Sequence, residues 1–238
     1  MPDPTRAPHP ETPGPATAPQ RRAFDPGKPP YERLLTEALG RTLVIERSAN
    51  LEALWAAMGE EDFGPDERIP YWAELWPSSL ALARFLEKRP ELVRGKICLD
   101  LGCGLGLSGI AAGLLGGRVL GLDHEWPAAF FARRNAGHNG LDGPAAPLWA
   151  VMDWRAPALR PGAAEVILAG DVLYETRFFE PLACFFRHAL APGGPALIAE
   201  PRREVARPAW DRLAEAGLLA QTVGTETVPG PGIPVTVD

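Results

Sequence analysis

From Lys96 onward the sequence alternates short apolar segments with longer amphipathic ones, and this alternation restricts the fold more than any other feature. Strands that alternate with helices are typical of βαβ units, in which parallel strands share one sheet. We predict such strands in KICLDL, RVLGLD, PLWAVM, EVILAG and PALIAE. Two further apolar segments, LLAQTVGTE and IPVTVD, are too close together for a crossover helix, so we expect them to pair as an antiparallel hairpin. The chain is therefore predicted to be an α/β protein.

The chain before this core differs in composition. Residues 1–30 hold ten of the 27 prolines and almost no large apolar side chains, and we predict a disordered tail because such a segment cannot offset the entropy cost of ordering. Residues 31–95 are predicted as a lead-in to the core at 96–238. The elements predicted in the lead-in are a helix in YERLLTEALG, a strand in TLVIER, an Asn-capped helix in NLEALWAAMG, turns in EEDFGPDERIP, and a helix within YWAELWPSSLALARFLEKRPEL.

Composition excludes several classes of protein. The chain is 46% apolar and 23% charged, which is typical of globular proteins, and no apolar segment reaches the ~20 residues that span a bilayer. Its three cysteines and four histidines lack the spacing of a metal site, so we expect no metal and a reducing cytoplasmic location. The first residues lack the apolar stretch of a signal peptide. A net charge of −6 argues against nucleic acid. We expect a single monomeric chain without a membrane partner.

The segment LDLGCGLGLSG, between the first core strand and the next helix, predicts a ligand site. Glycines allow close backbone approach to a ligand, and the helix N-terminus offers free N–H groups. Residues 104–109 fit the dinucleotide fingerprint, with Asp123 placed to bind a ribose. However, Asp100 precedes Gly102 by two residues, and this acid would repel a phosphate. S-adenosylmethionine carries an ammonium group and no phosphate, so Asp100 would attract it.

S-adenosylmethionine is therefore the predicted cofactor, and two alternatives remain open. A nicotinamide-dependent oxidoreductase would use the same glycine pattern, although the chain has no lysine after Lys96 to form a Tyr-x-x-x-Lys catalytic pair. The glycines could also serve only a tight turn, which would leave Asp100 and Asp123 as ordinary acids at strand ends.

The predicted contacts with this cofactor lie at three strand ends. Room for its amino acid part is provided by Gly102, Gly104 and Gly106. Asp123 would accept hydrogen bonds from both ribose hydroxyls. In the sequence MDW, Asp153 would accept from the adenine amino group while the Trp154 indole packs on the ring. The alternative for Asp153 and Trp154 is a solvated acid and a partly buried core aromatic.

A carboxylate and a phenol follow the fourth predicted strand. The apolar segment EVILAG ends at Gly170, and Asp171 and Tyr174 come directly after it. In an open parallel sheet, ligands bind beyond the carboxyl ends of the strands, so Asp171 should face the same cleft as the glycine loop. The alternative is that Asp171 caps the next helix and Tyr174 packs beneath it.

Two segments taken together resemble a known family. PYWAELWPSSLALARFLEKRPELVRGKICLDLGCGLGLSGIAA and DVLYE are similar to the seven-strand protein-lysine methyltransferases, and within these to the methyltransferases of the electron transfer flavoprotein β subunit. The similarity covers residues 65–238. It implies a Rossmann-like class I methyltransferase fold: a seven-stranded, mainly parallel sheet with a C-terminal antiparallel hairpin and helices on both faces. One departure is AEPRREVARP, where Glu200 and two arginines replace a small residue and an aspartate.

The resemblance implies roles for particular residues. Trp76 would form a wall of the cofactor pocket, and Asp171 with Tyr174 would form the floor of a lysine channel. Tyr71 and Trp72 are candidates for the same cleft, with a core position equally compatible for Trp72.

The function expected on this basis is S-adenosylmethionine-dependent methylation of a lysine side-chain amine, with a protein such as the electron transfer flavoprotein β subunit as substrate. The alternative is a small-molecule N-methyltransferase, because an acid and a tyrosine can also position an amine or a heteroaromatic nitrogen. A non-catalytic binding module on the same scaffold is a further hypothesis.

Overall fold

The computed structural model describes residues 30–56, 58, 69–230 and 234–238. Residues 1–29 of the predicted tail, most of EEDFGPDERIP and residues 231–233 lie outside these residues. The strands are β1 Tyr31–Ala38, β2 Arg41–Ser48, β3 Ile97–Leu101, β4 Arg118–Asp123, β5 Leu148–Val151, β6 Val166–Gly170, β7 Ala196–Ala199, β8 Glu226–Val228 and β9 Val235–Val237. The α-helices are α1 Leu51–Ala56, α2 Pro77–Lys88, α3 Leu107–Leu114, α4 Trp126–His138, α5 Phe179–Ala189 and α6 Arg207–Glu215.

The centre of the molecule is a parallel sheet with the strand order β5-β4-β3-β6-β7. Successive residues of β6 point to opposite faces: Val166 and Leu168 join the core beneath α2, α3 and α4, while Ile167 and Ala169 join the core beneath α5 and α6. Because helices cover both faces, the strands are apolar throughout rather than alternating. The predicted α/β class and all five parallel strands are confirmed.

The order of the strands determines where a ligand can bind. The chain leaves β3 toward β4 and β5, then crosses back to β6 on the other side of β3. Such a reversal opens a crevice beyond the carboxyl ends of the two central strands. Gly102, Asp123 and Asp171 all lie at or directly after strand ends on this side.

The segment YERLLTEALG, predicted to be a helix, is strand β1 instead. It pairs with β2 in antiparallel register from Tyr31↔Ser48 to Ala38↔Arg41. Leu39 and Gly40, at φ of +59° and +63°, form the turn, so the glycine that suggested a helix stop belongs to a hairpin. The Tyr31 ring packs edge-on against Phe131, and this tertiary contact outweighs the helical propensity of the segment. The strand predicted in TLVIER and the helix capped by Asn50 are confirmed.

Helix α4 holds the hairpin through two asparagines one turn apart. Asn135 accepts a hydrogen bond from the Glu46 amide (2.7 Å), and Asn139 both accepts from and donates to the Val44 backbone (3.0 and 2.8 Å). These side chains satisfy the outer edge of β2 much as another strand would. The hairpin is thereby attached to the helix that follows Asp123.

The seven-stranded sheet is a prediction that needs correction, because the central sheet has five strands and β8 and β9 form a separate antiparallel pair. Residues 218–225, predicted as a strand, have no regular structure. Their Leu219 and Val223 side chains are 92% and 55% exposed, so this alternating segment lacks the covered face that stabilises a strand. Just beyond β7, the hairpin is bonded to the chain through Glu200 and Asp238, which exchange backbone hydrogen bonds of 3.1 and 3.0 Å.

No helix within the described ranges combines the length and the apolar character needed to cross a membrane.

Candidate functional site

A cleft lies beyond the carboxyl ends of the parallel strands, where the strand order predicts one. Eight of the ten predicted site residues line it. They are Trp76, Gly102, Gly104, Asp123, Asp153, Trp154, Asp171 and Tyr174. Asp100 and Gly106 lie outside the lining.

The glycine loop forms one side of this cleft. Gly102 and Gly104 have φ of +63° and +50°, values that favour glycine. A Cβ at Gly102 would lie 3.3 Å from Val172 and 3.6 Å from Trp154. A Cβ at Gly104 would lie 3.5 Å from the backbone oxygen of Trp72. Side chains at these two positions would therefore occupy the cleft, and their absence leaves backbone exposed to a ligand.

Gly106 serves the packing behind the loop. It precedes α3 at φ of +86°, and an added Cβ would come within 2.8 Å of Ala132 and 2.9 Å of the Trp149 ring. The same indole restricts Gly109 and Gly121, where a Cβ would lie 3.0 Å and 2.1 Å from Trp149. Part of the glycine pattern is thus explained by a tryptophan on β5 rather than by a ligand.

Asp123 ends β4 and faces the cleft. Its carboxylate accepts hydrogen bonds from the backbone N–H groups of Gly104 and Glu125, both at 2.9 Å. Burial raises the pKa of Asp123 to about 6, and the two backbone donors oppose this shift. The acid is therefore tied to the glycine loop and titrates close to neutral pH.

Asp100 lies beneath the loop, only 2% exposed, and accepts a hydrogen bond from the Gly109 amide at 2.8 Å. Burial raises its pKa to about 7, with the Gly109 bond acting in the opposite direction. The carboxylate holds the start of α3 against β3. Its predicted attraction for a cofactor ammonium would therefore act from beneath the glycine loop.

The end of β5 contributes an acid and an indole. Asp153 accepts from the Arg155 amide (2.8 Å) and pairs with its guanidinium at 2.7 Å. Although burial opposes it, this arginine lowers the pKa of Asp153. Trp154 packs edge-on against Phe178 at 5.4 Å and stands beside Gly102. Asp153 therefore has a protein partner that the sequence analysis did not identify.

A cluster of aromatic rings also lines the cleft. Tyr71 contacts both Trp76 and Tyr174 edge-on, at 5.8 and 5.3 Å, and the Trp76 indole donates to the Tyr71 carbonyl at 2.8 Å. Burial, with the nearby Glu175 charge, raises the pKa of Tyr174 well above its usual value, so its hydroxyl stays protonated. Trp72 is 8% exposed and stacks on Phe131, which makes it mainly a core residue whose edge reaches the cleft.

Asp171 is the most constrained acid in the cleft. It has φ of +66°, its side chain is 3% exposed, and it forms a two-point ion pair with the Arg203 guanidinium. The Ser78 hydroxyl, in the first turn of α2, donates to the same carboxylate at 3.2 Å. Helix α5 begins without a side-chain cap, so the alternative in which Asp171 caps it has no support in the described residues. Backbone at positive φ costs aspartate about 1–3 kcal/mol, a strain that the surrounding contacts must offset.

Ser78 and Arg203 were not predicted from the sequence as partners of Asp171. Arg203 stood out only as a departure from the resembled branch, and nothing local relates it to an acid 32 positions earlier. Glu200 belongs to the same cluster. It accepts a hydrogen bond from the Arg203 amide at 3.0 Å, and its Oε1 lies 3.6 Å from the Arg203 guanidinium. Its Oε2 is buried without a hydrogen-bond partner among the described residues.

The arrangement suits a cationic or nitrogen-containing group. The glycine loop, the acids Asp123 and Asp171, and several aromatic residues line one cleft. Carboxylates hold amines by charge-assisted hydrogen bonds, and aromatic faces attract cations.

The family model described as lysine methyltransferase matches residues 70–210, more than half of the chain. The matched stretch includes every predicted site residue, and the match confirms the resemblance inferred from the sequence.

Several curated relatives carry more specific names. The electron transfer flavoprotein β subunit lysine methyltransferase of Xenopus laevis is 36% identical over 139 residues, covering 56% of this chain and 53% of that protein. The Danio rerio protein of the same name is 38% identical over 140 residues, covering 56% and 51%. The protein N-lysine methyltransferase METTL21A of Danio rerio is 31% identical, covering 51% and 57%. The chain spans about half the length of the curated relatives it matches.

Solved structures support the fold at low sequence identity. The 16S rRNA N2 G1207 methyltransferase RsmC of T. thermophilus has a TM-score of 0.53 at 16% identity, covering 88% of this chain and 51% of that one. The cyclase SpnF has a TM-score of 0.52 at 20% identity, covering 62% and 59%. Because one of these enzymes is a cyclase, the likeness identifies the Rossmann-like fold and not the reaction.

Proposed function

The chain belongs to the lysine methyltransferase family, and from this premise we propose that it transfers a methyl group from S-adenosylmethionine to a lysine side-chain amine of a protein. The observation that carries the proposal is the buried acid Asp171, directly after β6, which lines the same cleft as Tyr174 and the glycine loop. An acid and a phenol in an aromatic-walled cleft can bind and orient an amine at the carboxyl end of a parallel sheet.

The residues of the cleft fit this cofactor. Gly102 and Gly104 leave space that a Cβ would fill, and the Asp123 carboxylate, held by the loop amides, can accept from ribose hydroxyls. Asp153 and the Trp154 indole would hold the adenine, and Trp76 would close the pocket on the other side. Asp100 and Gly106 would act through the loop, which they shape from below. When bound, the cofactor would supply an electrophilic methyl group on a cationic sulfur.

The residues of this chain would then position the acceptor. Asp171 would accept a hydrogen bond from the lysine nitrogen, and the Tyr174 oxygen would provide a second contact. The rings of Tyr71, Trp76 and Tyr174 would exclude water and flank the aliphatic part of the lysine. Correct alignment of the reacting atoms can supply about 7–11 kcal/mol of barrier lowering, so positioning accounts for most of the proposed catalysis.

The electron transfer flavoprotein β subunit is the first protein substrate that we propose, because relatives at 36% and 38% identity are named for it. The segment AEPRREVARP, with Glu200 and two arginines, departs from the pattern of that branch. We further propose a cytoplasmic location, which the free thiols of Cys98, Cys103 and Cys184 support.

Mass spectrometry can test the activity directly. We expect that the chain, heavy-methyl S-adenosylmethionine and purified electron transfer flavoprotein β subunit will give heavy methyllysine. Total lysate protein serves as a second acceptor pool, and a reaction without the chain is the control. Label confined to small metabolites would favour the small-molecule alternative, and no label in either fraction would refute methyl transfer.

The titration of Asp123 predicts a pH dependence of cofactor affinity. Ribose hydroxyls bind the ionised carboxylate, and burial raises the pKa of Asp123 to about 6. The contribution of Asp123 to the affinity for S-adenosylhomocysteine should therefore be constant well above that pKa and fall as pH decreases through it, by about tenfold for each further pH unit. Isothermal titration calorimetry between pH 5 and 8 measures this.

The matched variant is Asp123→Asn, which should bind more weakly and lose the step near pH 6. A step that survives this substitution would instead belong to Asp100, whose pKa burial raises to about 7, and would contradict the role given to Asp123.

A further inference from the structure

The Asp171 carboxylate already has a cationic partner. Arg203, which follows β7, makes two hydrogen bonds to it, one of 2.9 Å from Nη2 to Oδ2 and one from Nη1 to Oδ1. The Asp171 side chain is 3% exposed and that of Arg203 is 29% exposed. A two-point pair of this kind fixes the orientation of the carboxylate and balances its charge.

One acceptor position of the carboxylate remains for a ligand. An ionised carboxylate offers about four lone-pair positions. Two are taken by Arg203 and one by Ser78, whose hydroxyl donates to Oδ2. Because Asp171 also lines the cleft, the remaining position can accept from a group bound there.

This pairing matters because methyl transfer needs a neutral amine. A free lysine has a pKa of about 10.4 and must lose a proton before its nitrogen can attack a methyl group. An unpaired carboxylate beside the nitrogen would stabilise the ammonium form and oppose this loss. A carboxylate paired with an arginine exerts much less of that effect, yet it can still accept a hydrogen bond from the amine.

We propose that Arg203 is a positioning residue that neutralises Asp171, so that the carboxylate aligns the substrate amine without holding a proton on its nitrogen. The inference rests on the proposed function and deepens it. It implies that the substrate is an amine and that its ammonium form readily loses a proton once it is bound in the cleft.

Other charged groups surround this position and contribute to its pH dependence. Glu200, after β7, lies 3.6 Å from the Arg203 guanidinium; burial raises the pKa of this carboxyl, and its contacts with Arg203 oppose the shift. The remaining titratable or charged groups lining the cleft are Tyr71, Asp123, His124, Glu125, Asp153, Arg155, Tyr174, Glu175 and Arg177.

The segment that carries Arg203 is anchored at two points. Arg202, at φ of +58°, pairs with the Asp238 carboxylate through two bonds of 2.7 Å. Glu200 exchanges backbone hydrogen bonds with Asp238 on the same stretch. These contacts hold Arg203 in place independently of Asp171, as expected for a residue that orients the acid.

The test compares pH profiles of single-turnover methylation at saturating S-adenosylmethionine. The acceptor is electron transfer flavoprotein β subunit, or the lysate protein found by heavy-methyl labelling if that subunit accepts no label. Arg203→Gln should shift the profile to alkaline pH by about one unit, lower the rate at pH 7.5 by about tenfold and tighten acceptor binding. Acceptor binding is measured separately, by calorimetry with S-adenosylhomocysteine present.

Two variants control for charge and for damage to the fold. Arg203→Lys keeps the cation and should keep a profile close to that of the unaltered chain. Arg207→Gln removes a cation on the exposed start of α6, where its side chain is 77% exposed, and should change neither the profile nor the binding.

A variant with the opposite sign keeps the proposal falsifiable if Arg203→Gln does not fold. Asp171→Asn removes the carboxylate charge that offsets Arg203 beside the amine, and it should shift the profile toward acid pH while weakening acceptor binding. Asparagine tolerates the positive φ of this position. If the unaltered chain methylates lysine but neither variant moves the profile, Arg203 is merely structural and the inference fails. If the unaltered chain methylates no lysine, the proposed function fails and this inference fails with it.

Discussion

Replacing Asp171 with asparagine is expected to lower kcat/KM for lysine methylation by about a hundredfold, because it removes a charge-assisted bond to the substrate nitrogen and the carboxylate charge that offsets Arg203. The shape of the side chain is retained, so the dissociation constant for S-adenosylhomocysteine should stay within about twofold. Steady-state kinetics and calorimetry on one preparation measure both quantities.

The control for this change is Asp211→Asn, on an exposed face of α6. It makes the same chemical substitution far from the cleft and should leave kcat/KM unaltered. If Asp171→Asn keeps nearly full activity, the acid is structural and the proposed mode of amine binding is wrong.

Gly121→Ala is expected to destabilise the protein by about 3 kcal/mol or more and to prevent folding of much of it. A Cβ at Gly121 would lie 2.1 and 2.3 Å from ring atoms of Trp149. Moving β4 and β5 apart to remove this clash would break the pairing between the two strands. Urea denaturation followed by circular dichroism measures the loss of stability.

Two comparisons isolate this contact. Gly137→Ala in α4 places a Cβ where no atom lies within 4 Å, and it should be neutral or stabilising by up to about 1 kcal/mol. Combining Gly121→Ala with Trp149→Leu should recover part of the stability, since the indole is the obstacle. A Gly121→Ala protein as stable as the unaltered chain would disprove the packing described here.

The sequence predicted those features that depend on local pattern. The strand RVLGLD matches β4 residue for residue because apolar character along a doubly covered strand is continuous and ends at Asp123. The positions of Asp123 and Asp171 at one edge of the sheet follow from strand order alone.

Features set by contacts between distant segments were not predicted. The β1–β2 hairpin depends on Asn135 and Asn139, which lie about 90 positions later in the chain and satisfy its edge. Trp149 restricts Gly106, Gly109 and Gly121, yet a tryptophan in a strand gives no sign of what it will contact. Pairing of Arg203 with Asp171 likewise arises only when β6 and β7 lie side by side.

The reciprocal backbone bonds between Glu200 and Asp238 make these two amides natural reporters of the arginine beside them. Hydrogen–deuterium exchange at either amide should be slow while the segment 200–203 is well ordered and faster when that segment loosens. The hairpin of β8 and β9 thereby reports on the order of the structure around Asp171, and the measurement does not require methyl transfer.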